Sequence, residues 1–143
     1  DGATPALTDT RTINVTITAA PPATVIDNAT GVLQVSASGG DIDFTDNVTV
    51  RTNVEITGFG AGDEILVDHP SDNAFNARNS YFYTTNNVAG GAADDLIISF
   101  NASGNFTQIV LVDAAINADG GLNLVFDYAS AKASLGFDFI TIA

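Results

Sequence analysis

Residues 95–101 read DLIISFN, residues 106–113 read FTQIVLVD, and the four residues that separate them read ASGN. Both runs are rich in β-branched and aromatic residues, which favour strands. The Ser-Gly-Asn of the connection can adopt the positive φ that a tight hairpin turn requires. This stretch therefore predicts a β-hairpin, and it sets the expectation for the rest of the chain.

Similar short runs recur along the 143 residues, separated by clusters of Gly, Asn and Asp. Val, Ile and Thr are abundant, whereas strong helix formers are scarce. We therefore predict an all-β fold, an antiparallel β-sandwich of the jelly-roll or Ig-like kind, with a helix only over residues 128–135. The strands are expected at residues 32–36, 42–44, 47–51, 54–57, 64–68, 80–85, 96–101, 106–112, 122–128 and 137–142.

The N-terminal segment reads as a separate arm. Over residues 11–19, Ile13, Val15 and Ile17 alternate with polar residues, which is the pattern of a strand with one apolar face. The two prolines at positions 21 and 22 end any ladder. We therefore divide the chain into a strand arm at 1–20, a linker at 21–31 and a β-sandwich domain at 32–143. The arm has two candidate partners, an edge of its own sandwich or a neighbouring subunit.

The charge of the chain excludes two classes of function. Four Lys and Arg stand against 17 Asp and Glu, for a formal net charge of −13. This charge would repel nucleic acid, and no run of the sequence is long and apolar enough to span a membrane. Only Glu55 and Glu64 of the acidic residues are Glu, and Lys132 is the single lysine. A chain rich in Asp, Asn, Thr and Gly and poor in Lys is typical of secreted proteins.

Three segments resemble bacterial surface proteins. Residues 6–18 (ALTDTRTINVTIT) resemble the last strand of a cadherin-like or Ig-like adhesin repeat. Residues 54–67 (VEITGFGAGDEILV) resemble a stretch near the C-termini of type I-secreted, RTX-type proteins with calcium-binding repeats. Residues 107–112, together with residues 137–140, are similar to the closing strands of those proteins. The resemblance implies the C-terminal region of a secreted adhesin at the cell surface.

The calcium repeats of that family are incomplete in this chain. Residues 39–43 (GGDID) lack the third glycine of the repeat, and in residues 60–63 (GAGD) the aspartate comes one position early. A calcium β-roll also requires about three or more stacked repeats. We therefore do not expect a calcium β-roll in this part of the protein.

Calcium at a single site is the best ligand hypothesis. The densest group of oxygen ligands is Asp41, Asp43, Asp46 and Asn47. Asp41 and Asp43 share one face of an extended strand, and we expect Asp46 and Asn47 in the turn beyond it. A Ca²⁺ ion takes six to eight oxygen ligands, which such a group can supply in part. The alternative is that these acids only keep turns and a strand edge soluble.

A sugar-binding surface is the second hypothesis. Tyr81 and Tyr83 alternate with Phe82, and Arg78 lies just before them. We expect Phe82 in the core and both tyrosines exposed, where their rings could stack on a glycan beside Arg78. The alternative is that the tyrosines lie at an edge or interface.

Catalytic chemistry has little support in the sequence. The chain has no Cys and a single His, His69, in a loop beside Asp68. Neighbours in one loop rarely reach the geometry of a nucleophile and its base. We therefore predict a non-enzymatic extracellular structural or adhesive protein, which forms a surface or filamentous assembly with copies of itself or with neighbouring repeats. The alternative is a calcium-stabilised adhesin or a carbohydrate-binding module for surface glycans.

Overall fold

The computed structural model describes residues 23–28, 30–38, 41–47, 50–68, 78, 80–102, 105–115 and 125–142. The predicted arm at 1–20, with Ile13, Val15 and Ile17, lies outside these residues, and so does His69. The strands and the helix are β1 (Thr24–Val25), β2 (Leu33–Ser36), β3 (Asp43–Asn47), β4 (Thr52–Thr57), β5 (Glu64–Asp68), β6 (Phe82–Asn86), β7 (Asp94–Ala102), β8 (Asn105–Ala115), α1 (Tyr128–Leu135) and β9 (Ile140–Ile142).

The strands form two sheets, so the prediction of a mainly β protein is confirmed. The first sheet has the order β1-β3-β5-β9, and all its pairs are parallel. The second sheet has the order β2-β4-β8-β7-β6. Its β2–β4 and β4–β8 pairs are parallel, whereas β7 runs antiparallel to both β8 and β6. The expected antiparallel pairing is therefore wrong for most of the pairs.

The chain from β1 to β5 winds as a coil between the two sheets. Consecutive strands from β1 to β5 alternate between the sheets, and β1, β2 and β3 each pair with the strand two places on. Thr24 pairs with Phe44, which pairs with Ile65, and Leu33 pairs with Val54. One turn of the coil is therefore 20 or 21 residues, and this winding occurs although the calcium repeats are incomplete.

Period-two alternation builds the core between the sheets. On β4, Val54 and Ile56 are fully buried, while Asn53, Glu55 and Thr57 point away from the core. Rows of apolar residues in register continue this pattern across each sheet, because side chains opposite each other on neighbouring strands share a face. One row of the second sheet is Leu33, Val54, Ile109, Ile98 and Tyr83, and one row of the first sheet is Phe44, Ile65 and Ile140.

Several local predictions are confirmed and others are wrong, among them the strand expected over 47–51, since β3 ends at Asn47 and residues 50 and 51 lie outside the strands. The β7–β8 hairpin is present, and α1 has the predicted bounds. Asp127 caps the helix by accepting from the Ser130 backbone N–H at 2.8 Å. The strand expected over 122–128 is wrong for residues 125–128, where this cap and the first helical residue lie. The expected linker at 21–31 contains β1, which pairs with β3.

Within the described residues, no helix is both long enough and apolar enough to cross a membrane.

Candidate functional site

Tyr81 and Tyr83 lie in the core, opposite to the sequence-based expectation. Each is 4 % exposed, whereas Phe82 between them is 73 % exposed. The Tyr81 hydroxyl donates to Asp46 Oδ2 at 2.5 Å, and the Tyr83 hydroxyl donates to the Arg78 carbonyl at 2.5 Å. Each buried hydroxyl thus has an acceptor, which offsets its loss of water. The two tyrosines therefore offer no stacking surface to a glycan.

Arg78 is also engaged within the fold. Its Nε donates to the Ile140 carbonyl at 2.9 Å, and its guanidinium carbon lies 4.9 Å from the centroid of the Tyr128 ring. One guanidinium nitrogen also lies 3.9 Å from a carboxylate oxygen of Asp138. A cation over an aromatic face is attracted by the ring quadrupole. Arg78 therefore joins β9 to α1, a position different from the one expected beside exposed tyrosines.

The four residues of the calcium hypothesis do not converge on one point. Asp46 lies within β3, where the sequence predicted a turn. Because β3 alternates, Asp43 and Asn47 point away from the core and Asp46 points into it. Asp41 is exposed just before the strand. Among the described residues, no three His, Cys, Asp or Glu side chains are grouped as a metal site would need, and calcium binding by the chain stays a prediction.

Asp46 is the centre of a buried hydrogen-bond network. Besides the Tyr81 hydroxyl, it faces the Thr52 hydroxyl, which lies 2.8 Å from Asp46 Oδ1 and 3.2 Å from Asp27 Oδ1. Burial raises the pKa of Asp46, although the hydrogen bonds from Tyr81 and Thr52 oppose the change and the charge of Asp27 adds to it. Burial and the nearby Asp46 charge also raise the pKa of Tyr81.

The single Thr52 hydroxyl proton cannot serve both carboxylates at once. A protonated Asp46 removes the conflict, because it donates to Thr52 while Thr52 donates to Asp27. The network therefore favours a neutral Asp46.

A groove of about 490 Å³ lies on the outward face of the second sheet. Its floor is formed by β2, β4 and β8, and its wall by Ala89 and Gly90 of the loop after β6. The buried Asp95 carboxylate holds this loop, since its Oδ2 accepts from the backbone N–H groups of Val88 and Ala89 at 2.8 Å each. The lining residues are Gln34, Val35, Ser36, Glu55, Thr57, Ala89, Gly90 and Val112.

The polar groups of the groove are hydroxyls, an amide and one carboxylate. The Gln34 amide donates to Glu55 Oε2 at 3.0 Å, and the Thr57 hydroxyl donates to the Val35 carbonyl at 3.3 Å. The hydroxyl oxygens of Ser36 and Ser38 are 2.6 Å apart. These groups can exchange hydrogen bonds with a polar, uncharged ligand. The alternation of β2 and β4 marks these side chains as outward in the sequence, but nothing in it places the loop of Ala89 beside them.

Comparison of the chain with family models, with curated proteins and with solved structures finds no match.

Proposed function

We propose that this chain is a non-enzymatic structural or adhesive protein of the extracellular surface, and that it assembles into a surface layer or filament by strand pairing. The observation that carries the proposal is the position of β1 and β2. They are consecutive strands of the first turn of the coil, and each is the outermost strand of its sheet among the described residues. Outer strands present backbone groups to which another strand can bond.

The open side of β2 can be assigned residue by residue. The Ala37 N–H, just after β2, donates to the Thr57 carbonyl at 2.8 Å, so it points toward β4. Backbone groups alternate in direction along a strand. The N–H groups of Gln34 and Ser36 therefore point away from β4, toward the side where an added strand would lie.

The winding of the coil favours a particular kind of partner. Because β1 and β2 belong to different sheets and to the same turn, one preceding turn of similar length would extend both sheets in parallel. Such a turn can come from a neighbouring repeat or from a second copy of the chain. The strand expected over residues 11–19 stays a candidate for this role.

Carboxylates that accept hydrogen bonds from backbone N–H groups support a structural role. Asp27 Oδ1 accepts from the Asn47 backbone N–H at 2.9 Å. Asp63 accepts from the backbone N–H groups of Ile42 and Gly60 at 2.9 and 2.8 Å. Each of these carboxylates, like that of Asp95, satisfies backbone donors where the chain turns. Such groups stabilise the coil, because they satisfy backbone donors that would otherwise lack a partner.

The net charge sets a condition on assembly. Two copies that each carry −13 repel each other, and salt screens this repulsion over about 10 Å at 0.1 M ionic strength. Strand pairing is a short-range interaction that salt weakens little. Assembly should therefore increase as the ionic strength rises.

Sedimentation velocity of the full chain and of two variants tests the proposal. We expect the full chain to form oligomers that grow with salt, and we expect deletion of residues 1–20 to leave a soluble monomer. Gln34→Pro removes a donor on the open side of β2 and should also reduce assembly, since proline is tolerated at sheet edges but cannot donate. Gln34→Ala is the matched control, because it keeps the N–H and should assemble like the wild type.

Two results would contradict strand pairing at β2. One is a wild-type chain that stays monomeric at every salt concentration. The other is a Gln34→Pro variant that folds and assembles as the Gln34→Ala control does.

A further inference from the structure

The outward face of the second sheet carries two exposed aromatic rings. Phe82 on β6 is 73 % exposed and Phe106 on β8 is 41 % exposed. Phe82 is opposite Ser99, which is opposite Gln108, and Phe106 lies two residues before Gln108. Opposite residues and residues two apart share a face, so both rings project from the same side of the sheet.

The spacing of the rings can be derived from the sheet. Strand β7 lies between β6 and β8, and neighbouring strands are about 4.8 Å apart. Adding the two-residue offset along β8 places the Cα atoms of Phe82 and Phe106 about 12 Å apart. An extended polymeric ligand that contacts both rings would therefore have more than one of its repeating units between them. Ser99 and Gln108 occupy this interval.

Polar side chains continue the face from the rings to the groove. Gln108 is opposite Asn53 on β4, and Glu55 and Thr57 follow on the same side of that strand. Glu55 is opposite Gln34, whose amide it binds, and Thr57 is opposite Ser36. The rings therefore lie at one end of this face and the groove at the other, while Ile97 and Val110 on the same face between them are only 6 % and 3 % exposed.

This face carries fewer exposed charges than the outward face of the first sheet. Its charged side chains on β2, β4 and β6 and within residues 95–100 and 106–112 are Glu55 and Asp95, and Asp95 is fully buried. On the first sheet, the outward positions include Asp43, Glu64 and Asp68. Exposed aromatic residues together with depletion of charge are typical of binding surfaces.

We propose that the outward face of the second sheet binds a neutral polysaccharide chain. The Phe82 and Phe106 rings stack on the C–H faces of sugar rings, the amides and hydroxyls between them bond to sugar hydroxyls, and the groove takes a further unit of the same chain. Mostly apolar sites with a few placed polar groups fix small polar ligands in this way.

Charge favours a neutral glycan over an acidic one. A polyanionic glycan would be repelled by the net charge of −13, whereas a neutral glycan is not. The site is separate from the β1 and β2 edges that support assembly. Binding of a glycan and assembly can therefore fail or succeed independently.

Affinity electrophoresis of the full chain tests the proposal, with dextran and mixed-linkage β-glucan as neutral probes and alginate as the acidic probe. We expect at least one neutral probe to retard the wild type and alginate to leave it unretarded. Phe82→Ala and Phe106→Ala should each weaken binding about tenfold. Phe126→Ala is the matched control, since Phe126 is 72 % exposed but lies outside the strands, and it should bind like the wild type.

The fold is not at risk in these variants, because exposed side chains are replaced, and the melting temperature of each variant checks this. The proposal is overturned if neither neutral probe binds, or if Phe82→Ala binds as well as Phe126→Ala. It is also overturned if Phe82→Ala abolishes self-association while no polysaccharide binds, since the face then serves a second copy.

Discussion

Thr52 and Thr107 are opposite each other on β4 and β8, and both are buried, yet only Thr52 has hydrogen-bond partners. The Thr107 hydroxyl is buried without a partner among the described residues. The same residue type in the same register therefore has opposite energetic consequences. An unpaired buried hydroxyl destabilises a fold, whereas a paired one is close to neutral or favourable.

The pair gives a matched test of buried polarity. Thr107→Val keeps the shape of the side chain and removes the unpaired hydroxyl, so it should raise the free energy of unfolding by about 1 kcal/mol. Thr52→Val removes the hydroxyl that bonds to Asp27 and Asp46 and should lower the free energy of unfolding by about 1–3 kcal/mol. Urea denaturation measures both. Equal effects of the two substitutions would contradict this account.

Asp95 should be one of the most sensitive acids in the chain. Its carboxylate is fully buried and accepts from the backbone N–H groups of Val88, Ala89 and Asp113. Asp95→Ala leaves these donors without their acceptor and should cost about 1–3 kcal/mol of stability. Asp94→Ala, at the neighbouring and partly exposed position, is the control and should cost much less. Thermal unfolding compares them, and similar losses in the two variants would argue against the role of Asp95.

The sequence predicts the strands of this fold better than their direction. Alternation at Val54 and Ile56 marks a half-buried strand, and the same alternation suits a parallel or an antiparallel neighbour. Parallel pairing shows only in the register, where Leu33 pairs with Val54 one turn of the coil later. The matching apolar positions 21 residues apart are the signal that could have revealed the coil.

The candidate sites show a similar limit. Alternation separates Tyr81 and Tyr83 from Phe82 but does not tell which set is inside. That choice depends on Asp46, which is far away in sequence and accepts a hydrogen bond from the Tyr81 hydroxyl. Asp46 itself follows a Thr and precedes an Asn, which locally favours a turn. Its partners Tyr81 and Thr52 come together only in the folded chain, so local sequence could not place it.

The excess of Asp over Glu has a physical reason that the composition alone did not reveal. Asp27, Asp63 and Asp95 each accept hydrogen bonds from backbone N–H groups at places where the chain turns. The short side chain of Asp reaches nearby backbone donors that the longer Glu side chain fits less well. These three aspartates therefore have a structural reason to be Asp and not Glu.

Calcium can be tested at a pair of like charges on the first sheet. Asp43 on β3 is directly opposite Glu64 on β5, and both point away from the core. Like charges directly opposite each other on neighbouring strands destabilise a sheet, and a bound cation would remove that repulsion. We expect calcium to raise the melting temperature of the wild type above its value in chelator. In Asp43→Asn this difference should shrink, while the value in chelator should rise.

Asp68→Asn is the control for the calcium experiment, because Asp68 lies on the same face of β5 but opposite Asn47. It should keep the calcium-dependent difference. A wild-type melting temperature that is the same in calcium and in chelator would rule out calcium at this pair.

The pH dependence of stability should identify Asp46. Its pKa in the folded protein is raised by burial, so the folded state binds this proton more tightly than the unfolded state. The stabilising contribution of this proton is complete below the unfolded pKa of 3.8 and is lost as the pH rises through the folded pKa. At neutral pH the protein therefore either holds a proton there or carries a buried charge beside Asp27.

Asp46→Asn mimics the protonated carboxyl at every pH, since the amide can donate to Thr52 and accept from Tyr81. The variant should be more stable than the wild type at pH 7, and the difference should disappear as the pH falls below about 4. The pKa values of Asp127 and Asp138 are lowered by their hydrogen bonds with Ser130 and Lys132. The stabilising contribution of these two carboxylates is therefore lost in acid, but the loss is the same in the wild type and in Asp46→Asn. Urea titrations between pH 3 and 8 measure the difference. A constant difference over that range would mean that Asp46 keeps its ordinary pKa, and Asp46→Ala, which leaves Tyr81 and Thr52 unpaired, should be less stable than both proteins throughout.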